Sequence, residues 1–267
     1  MRLGLYLRNM GSQSGTDSIV ACARAAEEAG IDDLWVADHI AIPPDDAEGS
    51  DGRYLDPLAT LAFLAGVTRR ISLGTGVLVL PYRPPLPTAK WIATIQELSG
   101  GRLLLGVGAG WMEAEFRAVG VARSRRGRIT DETLAFLHRC FSQDEVEANG
   151  QAFLFRPRPP RPPIFIGGAA PHALRRAAKF GDGWMPMRGD PAALGPQIEQ
   201  LQHEMARVGK PRAEVVVVTT LALDDPSRSA DQVRQLAEAG ATRIVHGWRY
   251  PDATAFARAA ETFRRTI

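Results

Sequence analysis

Lysine is nearly absent from this chain of 267 residues: among 32 basic side chains only Lys90, Lys179 and Lys210 carry an ammonium group. A Schiff-base enzyme needs a lysine in its cleft, yet Lys90 and Lys179 read as helical and Lys210 precedes a strand. Aldolase-type and pyridoxal-type chemistry is thereby disfavoured. Cysteine is scarcer still. Cys22 and Cys140 both fall inside helical patterns, which excludes a disulfide scaffold and suits small buried thiols in a reducing cytosol. No apolar run approaches ~18 residues and no charged-then-apolar leader precedes Leu3, so a membrane span and a signal peptide are not expected, and a cytoplasmic location is.

A large excess of either charge is missing as well. The 32 basic and 30 acidic groups leave a net charge of +2, and a pI of about 8.7 without a basic stripe does not make a nucleic-acid surface. The one dense basic run, Arg123, Arg125, Arg126 and Arg128, reads as a solvated loop. Metal spacing is also lacking: Asp38, His39 and His246 are the candidates, no HxH or HxxEH pattern supports them, and no metal is expected. Beyond Asp38 the acids read as helical or loop surface, which leaves no facing carboxylate pair for a glycosidase.

What the chain does have is alternation. Strands are read at residues 3–7, 34–37, 71–80, 102–107, 163–166, 183–186, 214–221 and 243–245. Helices separate them at 16–29, 57–65, 86–98, 112–141 in two pieces, 171–180 and 192–208, with one after each of the last two strands, the final one over 252–265. Thr16 or Asp17 can cap the first helix and Gly30 end it, and Asp56-Pro57 opens another with proline at its first position. Val215-Val216-Val217-Val218 is apolar throughout, as in a strand covered on both faces. Successive strand–helix units give an α/β protein; with no composition break they favour one (β/α)8 TIM barrel spanning 1–267 over an open sheet. A short hairpin insertion around Asn149-Gly150 interrupts the series before strand 5.

In such a barrel the working residues sit at the C-terminal ends of the strands. Asp38 and His39 follow the second, and Gly74, Thr75 and Gly76 lie on the third. Gly106-Val107-Gly108-Ala109-Gly110-Trp111 follows the fourth and Gly167-Gly168-Ala169-Ala170-Pro171 the fifth, with Trp184 and Arg188 at the sixth and His246, Trp248 and Arg249 at the eighth. Either glycine turn alone is equally a tight βα connection. Two in one mouth, with few ionisable groups, point to a phosphate-bearing cofactor that carries the chemistry. His39 is read as a proton-transfer or cofactor-contact group, with capping as the plainer alternative. Trp111 is read as a wall for a planar ring, Trp184 as packing.

These motifs are similar to those of the bacterial luciferase-like family, in its branch of coenzyme F420-dependent oxidoreductases. The resemblance is carried in order by Trp35-Val36-Ala37-Asp38-His39, Asp56-Pro57-Leu58-Ala59-Thr60-Leu61 and Leu73-Gly74-Thr75-Gly76-Val77-Leu78. It continues through Leu98-Ser99-Gly100-Gly101-Arg102, the two glycine turns and Gly181-Asp182-Gly183-Trp184, while the C-terminal third matches only in general pattern. It implies a flavin-like ring in the mouth, propped by a bulge with a cis peptide at Gly76-Val77. It implies a phosphate at Gly108-Ala109-Gly110 and Gly167-Gly168-Ala169-Ala170, and His39 near the reactive edge as catalytic residue. Asp38, Thr75 and Trp111 complete the expected cofactor contacts, with Arg188 as a further candidate for its tail or an anionic substrate. Coenzyme F420 would make the enzyme a hydride-transferring reductase or dehydrogenase acting on a small molecule. FMN would make it a monooxygenase using dioxygen, and a non-catalytic flavin-binding barrel is the third reading. The GVGAGW form and the arginine-over-lysine usage favour F420; a homodimer is compatible with the family. Glucose-6-phosphate dehydrogenases of the family have a glutamate where this chain has Trp111 and a lysine where it has Asp190, so that substrate does not carry over.

Overall fold

The computed structural model describes residues 1–187 and 189–267. In chain order the strands are β1 (Arg2–Tyr6), β2 (Asp33–Val36), β3 (Ser72–Val79), β4 (Leu103–Gly108), β5 (Glu145–Ala148), β6 (Gln151–Leu154), β7 (Ile164–Gly167), β8 (Gly183–Met185), β9 (Glu214–Thr219) and β10 (Arg243–His246). The α-helices are α1 (Thr16–Glu28), α2 (Pro57–Val67), α3 (Pro85–Leu98), α4 (Glu113–Ala118), α5 (Arg126–Ser142), α6 (His172–Phe180), α7 (Pro191–Arg207), α8 (Pro226–Glu238) and α9 (Ala253–Thr266). All strands but β5 and β6 pair in parallel and close a barrel in the order β1-β10-β9-β8-β7-β4-β3-β2. This is the (β/α)8 barrel that the alternation implied. The antiparallel β5-β6 pair stands outside it, ahead of β7. Asn149 and Gly150 both have positive φ there (51° and 76°), the requirement of a type I′ turn.

Two apolar layers hold the barrel. Its lumen is filled by Trp35, Leu104, Phe165, Met185, Val216 and Val245, so it is a packed core and not a pore. Trp35 fits because Gly74 faces it, and a Cβ on that residue would overlap the indole. The larger layer lies between strands and helices and buries Cys22, Cys140 and Trp184. Burial pushes both thiols up to about 11, so they are inert protonated packing groups. Trp184 packs as read, donating its indole N–H to Gly168 O at 2.8 Å.

Two local expectations are corrected. The first helix is preceded by Gly15, with no side-chain cap from Thr16 or Asp17. The arginine run is not a solvated loop throughout: residues Arg123–Arg125 form a 3-10 turn, and Arg126 begins α5 and reaches the barrel mouth. Asp56 does cap α2, accepting from the Ala59 N–H at 3.0 Å, with Pro57 at the first helical position.

Candidate active site

The third stave shapes the site. Its pairing with β4 slips in register between Thr75 and Leu78, and within that bulge the Gly76-Val77 peptide is cis. The Tyr6 hydroxyl donates to Gly76 O at 2.5 Å and fixes the bulge from β1. Val77 then lies between the two glycine turns. A Cβ on Gly108 would stand 2.6 Å from Val77 Cγ2 and one on Gly167 2.7 Å from Val77 Cγ1. Both glycines are therefore required by the bulge itself, before any ligand is considered. Gly168, at φ +131°, follows in a conformation that other residues rarely adopt.

Above this wall lies a cavity of about 620 Å³, within the usual range for small-molecule and cofactor sites. It is lined by Asp38, His39, Gly76, Val77, Gly108, Ala109, Gly110, Trp111, Gly167, Gly168, Ala169 and Ala170. The structure thus brings together nearly every residue selected from the sequence. Thr75 is the exception: fully buried, it donates its hydroxyl to Gly106 O at 2.6 Å and does not line the cavity. Arg188 lies outside the described residues. Trp111 is 63% exposed, which fits a wall at the mouth and not a core aromatic. The Gly168 N–H is engaged by Met185 O at 3.2 Å, so that amide is not free for an anion.

The ionisable groups are held in two networks. Asp38 accepts from both Arg83 Nη atoms, at 2.6 and 2.9 Å, and from the Val79 N–H at 2.8 Å; Arg83 also reaches Asp56 at 2.8 Å. The fully buried Asp38 carboxylate thus braces β3 and, through Arg83, the start of α2.

The second network centres on Glu115, only 1% exposed. Its Oε1 accepts the N–H groups of Ile40 and Ala41 at 2.6 and 3.2 Å. Its Oε2 accepts the Tyr82 hydroxyl at 2.9 Å and lies 3.1 Å from His39 Nδ1. Burial would raise the Glu115 carboxyl, but hydrogen bonds from His39 and the two backbone amides outweigh it and hold the pKa at about 2. A permanent anion at Nδ1 keeps the proton on that nitrogen, leaving Nε2 as the imidazole atom available for proton exchange. His39 is further confined by Tyr54 and Trp111, at ring separations of 4.9 and 6.3 Å.

Two guanidinium groups, Arg126 and Arg176, join the lining at the end formed by α5 and α6, beside His172. Arg176 pairs with Asp131 at 2.6 Å, whereas Arg126 makes its hydrogen bond to the neutral Arg123 carbonyl at 3.1 Å. Glu115, Tyr6, Tyr82, Arg83 and this cationic end were not found by sequence reasoning. The one available signal was a glutamate in a short helix just past the GVGAG turn, which reads equally as an exposed first-turn acid.

His246 has a structural role: burial lowers it to about 4, and Nδ1 accepts the Leu221 N–H at 3.0 Å. With Asp38 and His39 also engaged elsewhere, no group of three possible metal ligands exists among the described residues.

Along nearly its whole length this barrel matches a known family. The luciferase-like monooxygenase family model matches residues 1–266. The chain belongs to this family and is an oxidoreductase. An uncharacterised protein of Mycobacterium tuberculosis is 32% identical over 250 residues, covering 87% of this chain and 85% of the relative. The F420-dependent hydroxymycolic acid dehydrogenase of the same organism is 33% identical over 188 residues, 67% of this chain but only 51% of that protein. Among solved structures, an F420-dependent secondary alcohol dehydrogenase in complex with an F420–acetone adduct superposes with a TM-score of 0.82 at 16% identity, covering 100% of this chain and 98% of that one. At that identity the likeness is one of fold.

Proposed function

We propose that the protein is a coenzyme F420-dependent oxidoreductase that exchanges hydride with a small organic substrate. The deazaflavin, when bound, supplies or accepts the hydride. Its site would be the cavity of about 620 Å³. The fit is judged on shape and donors: among the described residues no bulky side chain fills the space in front of Gly76-Val77, the wall there is small and apolar, and the far end is cationic. The Gly108-Ala109-Gly110 and Gly167-Gly168-Ala169-Ala170 turns, with Arg126, would hold a phosphate by backbone approach and charge. Trp111 and the wall residues exclude water from a planar ring.

His39 Nε2 takes up or releases the proton that accompanies hydride exchange, and Glu115 sets its tautomer. The single observation that carries this reading is the histidine poised by a buried anion at the edge of a cavity with an apolar floor. The F420-dependent relatives support the choice of cofactor. The family model's description as a monooxygenase favours the second reading, in which FMN occupies the same space and dioxygen is used. Titrating the purified chain with each cofactor, followed by absorbance and fluorescence, separates the two. Saturable uptake of F420 in preference to FMN is expected; uptake of FMN alone would reverse the assignment.

A further inference from the structure

A second cavity of about 530 Å³ opens at the barrel mouth and shares Tyr6, Gly76, Val77 and Met187 with the first, so the two spaces meet along the bulge of β3. Much of its wall is apolar, formed by Met185, Met187, Val218 and Trp248. Trp248 is held rigidly, lying nearly parallel to His246 at 4.4 Å and to Phe256 at 5.3 Å. Arg8 and Arg249 supply the charge, and no acidic side chain is among the described lining residues.

The two guanidinium groups converge on one stretch of backbone. Arg8 Nη2 donates to Gly49 O at 2.9 Å and its Nε to the neutral Gln13 Oε1 at 3.3 Å. Arg249 Nη2 lies against the same glycine, where a Cβ would come within 3.0 Å of it. Among the described residues neither arginine has a carboxylate within ion-pair distance, whereas Arg83, Arg161 and Arg243 all do. Two like charges drawn together without a counter-ion repel, and an anion placed between them removes that cost. The planar fork of arginine matches a carboxylate in two parallel hydrogen bonds.

We infer that this second cavity is the substrate compartment and that Arg8 and Arg249 select a substrate carrying a carboxylate on an apolar body. The inference rests on the reading of the first cavity as the cofactor's, and it assigns the face of the bulge that the cofactor does not use. The apolar body lies against the methionines, Val218 and the Trp248 ring, and the carboxylate bridges the arginines. No bond is made or broken by this recognition; it orients the substrate at the Gly76-Val77 wall.

The test uses two probes of matched shape, octanoate and the neutral octanamide, titrated calorimetrically into the full chain. Octanoate is expected to bind about tenfold or more tightly than octanamide. Arg249→Met, at an exposed position, removes that preference, and Arg249→Lys restores part of it. F420 uptake, read by fluorescence on the same preparations, stays at the level of the unaltered chain in both variants. Equal affinity for the two probes overturns the proposal, as does a preference that survives in an Arg8→Met/Arg249→Met double variant. A carboxylate preference in a chain that takes up no F420 upholds the anion site while refuting the cofactor assignment. F420 uptake without a carboxylate preference does the reverse.

Discussion

Replacing Glu115 by glutamine tests the link between the buried anion and His39. The substitution keeps shape and volume but leaves one acceptor oxygen where the carboxylate has two. Four donors now converge on it: the Ile40 and Ala41 N–H groups at 2.6 and 3.2 Å, the Tyr82 hydroxyl at 2.9 Å and His39 Nδ1 at 3.1 Å. If the amide oxygen serves the backbone pair, its NH2 faces Tyr82, which can rotate to accept, and His39, which can accept only by moving its proton to Nε2. The tautomer is therefore expected to reverse, which is visible as an exchange of the two imidazole 15N shifts. Turnover should fall about 10–100-fold, as for lost partners that orient a functional histidine, with cofactor affinity little changed.

Stability gives a second readout with a defined sign. A carboxyl lowered from 4.5 to about 2 on folding contributes about 3 kcal/mol above pH 4.5, lost as pH falls through 2. More than half is gone by pH 3. Urea unfolding of the unaltered chain should show this loss, and Glu115→Gln should lack that part of the acid dependence. Retention of the Nδ1 proton in the variant, or an unchanged acid profile, would show that the Glu115 charge does not hold the His39 proton.

Other perturbations separate the remaining roles. His39→Ala should lower turnover about 10²–10⁴-fold, the usual worth of a general acid or base, while cofactor uptake measured by fluorescence persists; undiminished turnover would reduce His39 to packing. Arg83→Met leaves the buried Asp38 carboxylate without its partner and should cost about 3–5 kcal/mol in urea unfolding; a cost below 1 kcal/mol would show that the Val79 N–H suffices. His246, lowered from 6.5 to about 4 by burial, contributes stability that is complete above pH 6.5 and lost as pH falls toward 4. His246→Gln should flatten the unfolding free energy in that window, and an unchanged slope there would contradict it.

The architecture was legible because its signals are local. Continuous apolar runs such as Val215-Val216-Val217-Val218 mark strands covered on both faces, Asp56-Pro57 marks a helix start, and Asn149-Gly150 marks a primed turn. The wall of the site was legible through an ordered set of motifs, and the cis peptide at Gly76-Val77 is where the resemblance put it. What stayed hidden depends on contacts far apart in the chain. His39 meets a carboxylate 76 positions away, and Asp38 an arginine 45 positions away.

Glu115 looks like a surface acid in the first turn of α4; it is buried against Ile40, Ala41 and Tyr82, whose ring also packs on the neighbouring Phe116 at 5.1 Å. Arg126 belongs to a run whose composition says solvent, and only the turn that starts α5 aims it at the cavity. Thr75 failed in the opposite sense. Its place in a motif suggested a ligand contact, but strand alternation turns its hydroxyl to the neighbouring stave.

A crystal structure of the chain with F420 is the most direct measurement. The deazaflavin ring is expected against Gly76-Val77, with its phosphate at the two glycine turns and His39 Nε2 facing the ring edge. A ring bound elsewhere, or a mouth that accepts FMN and leaves F420 in solution, would contradict it.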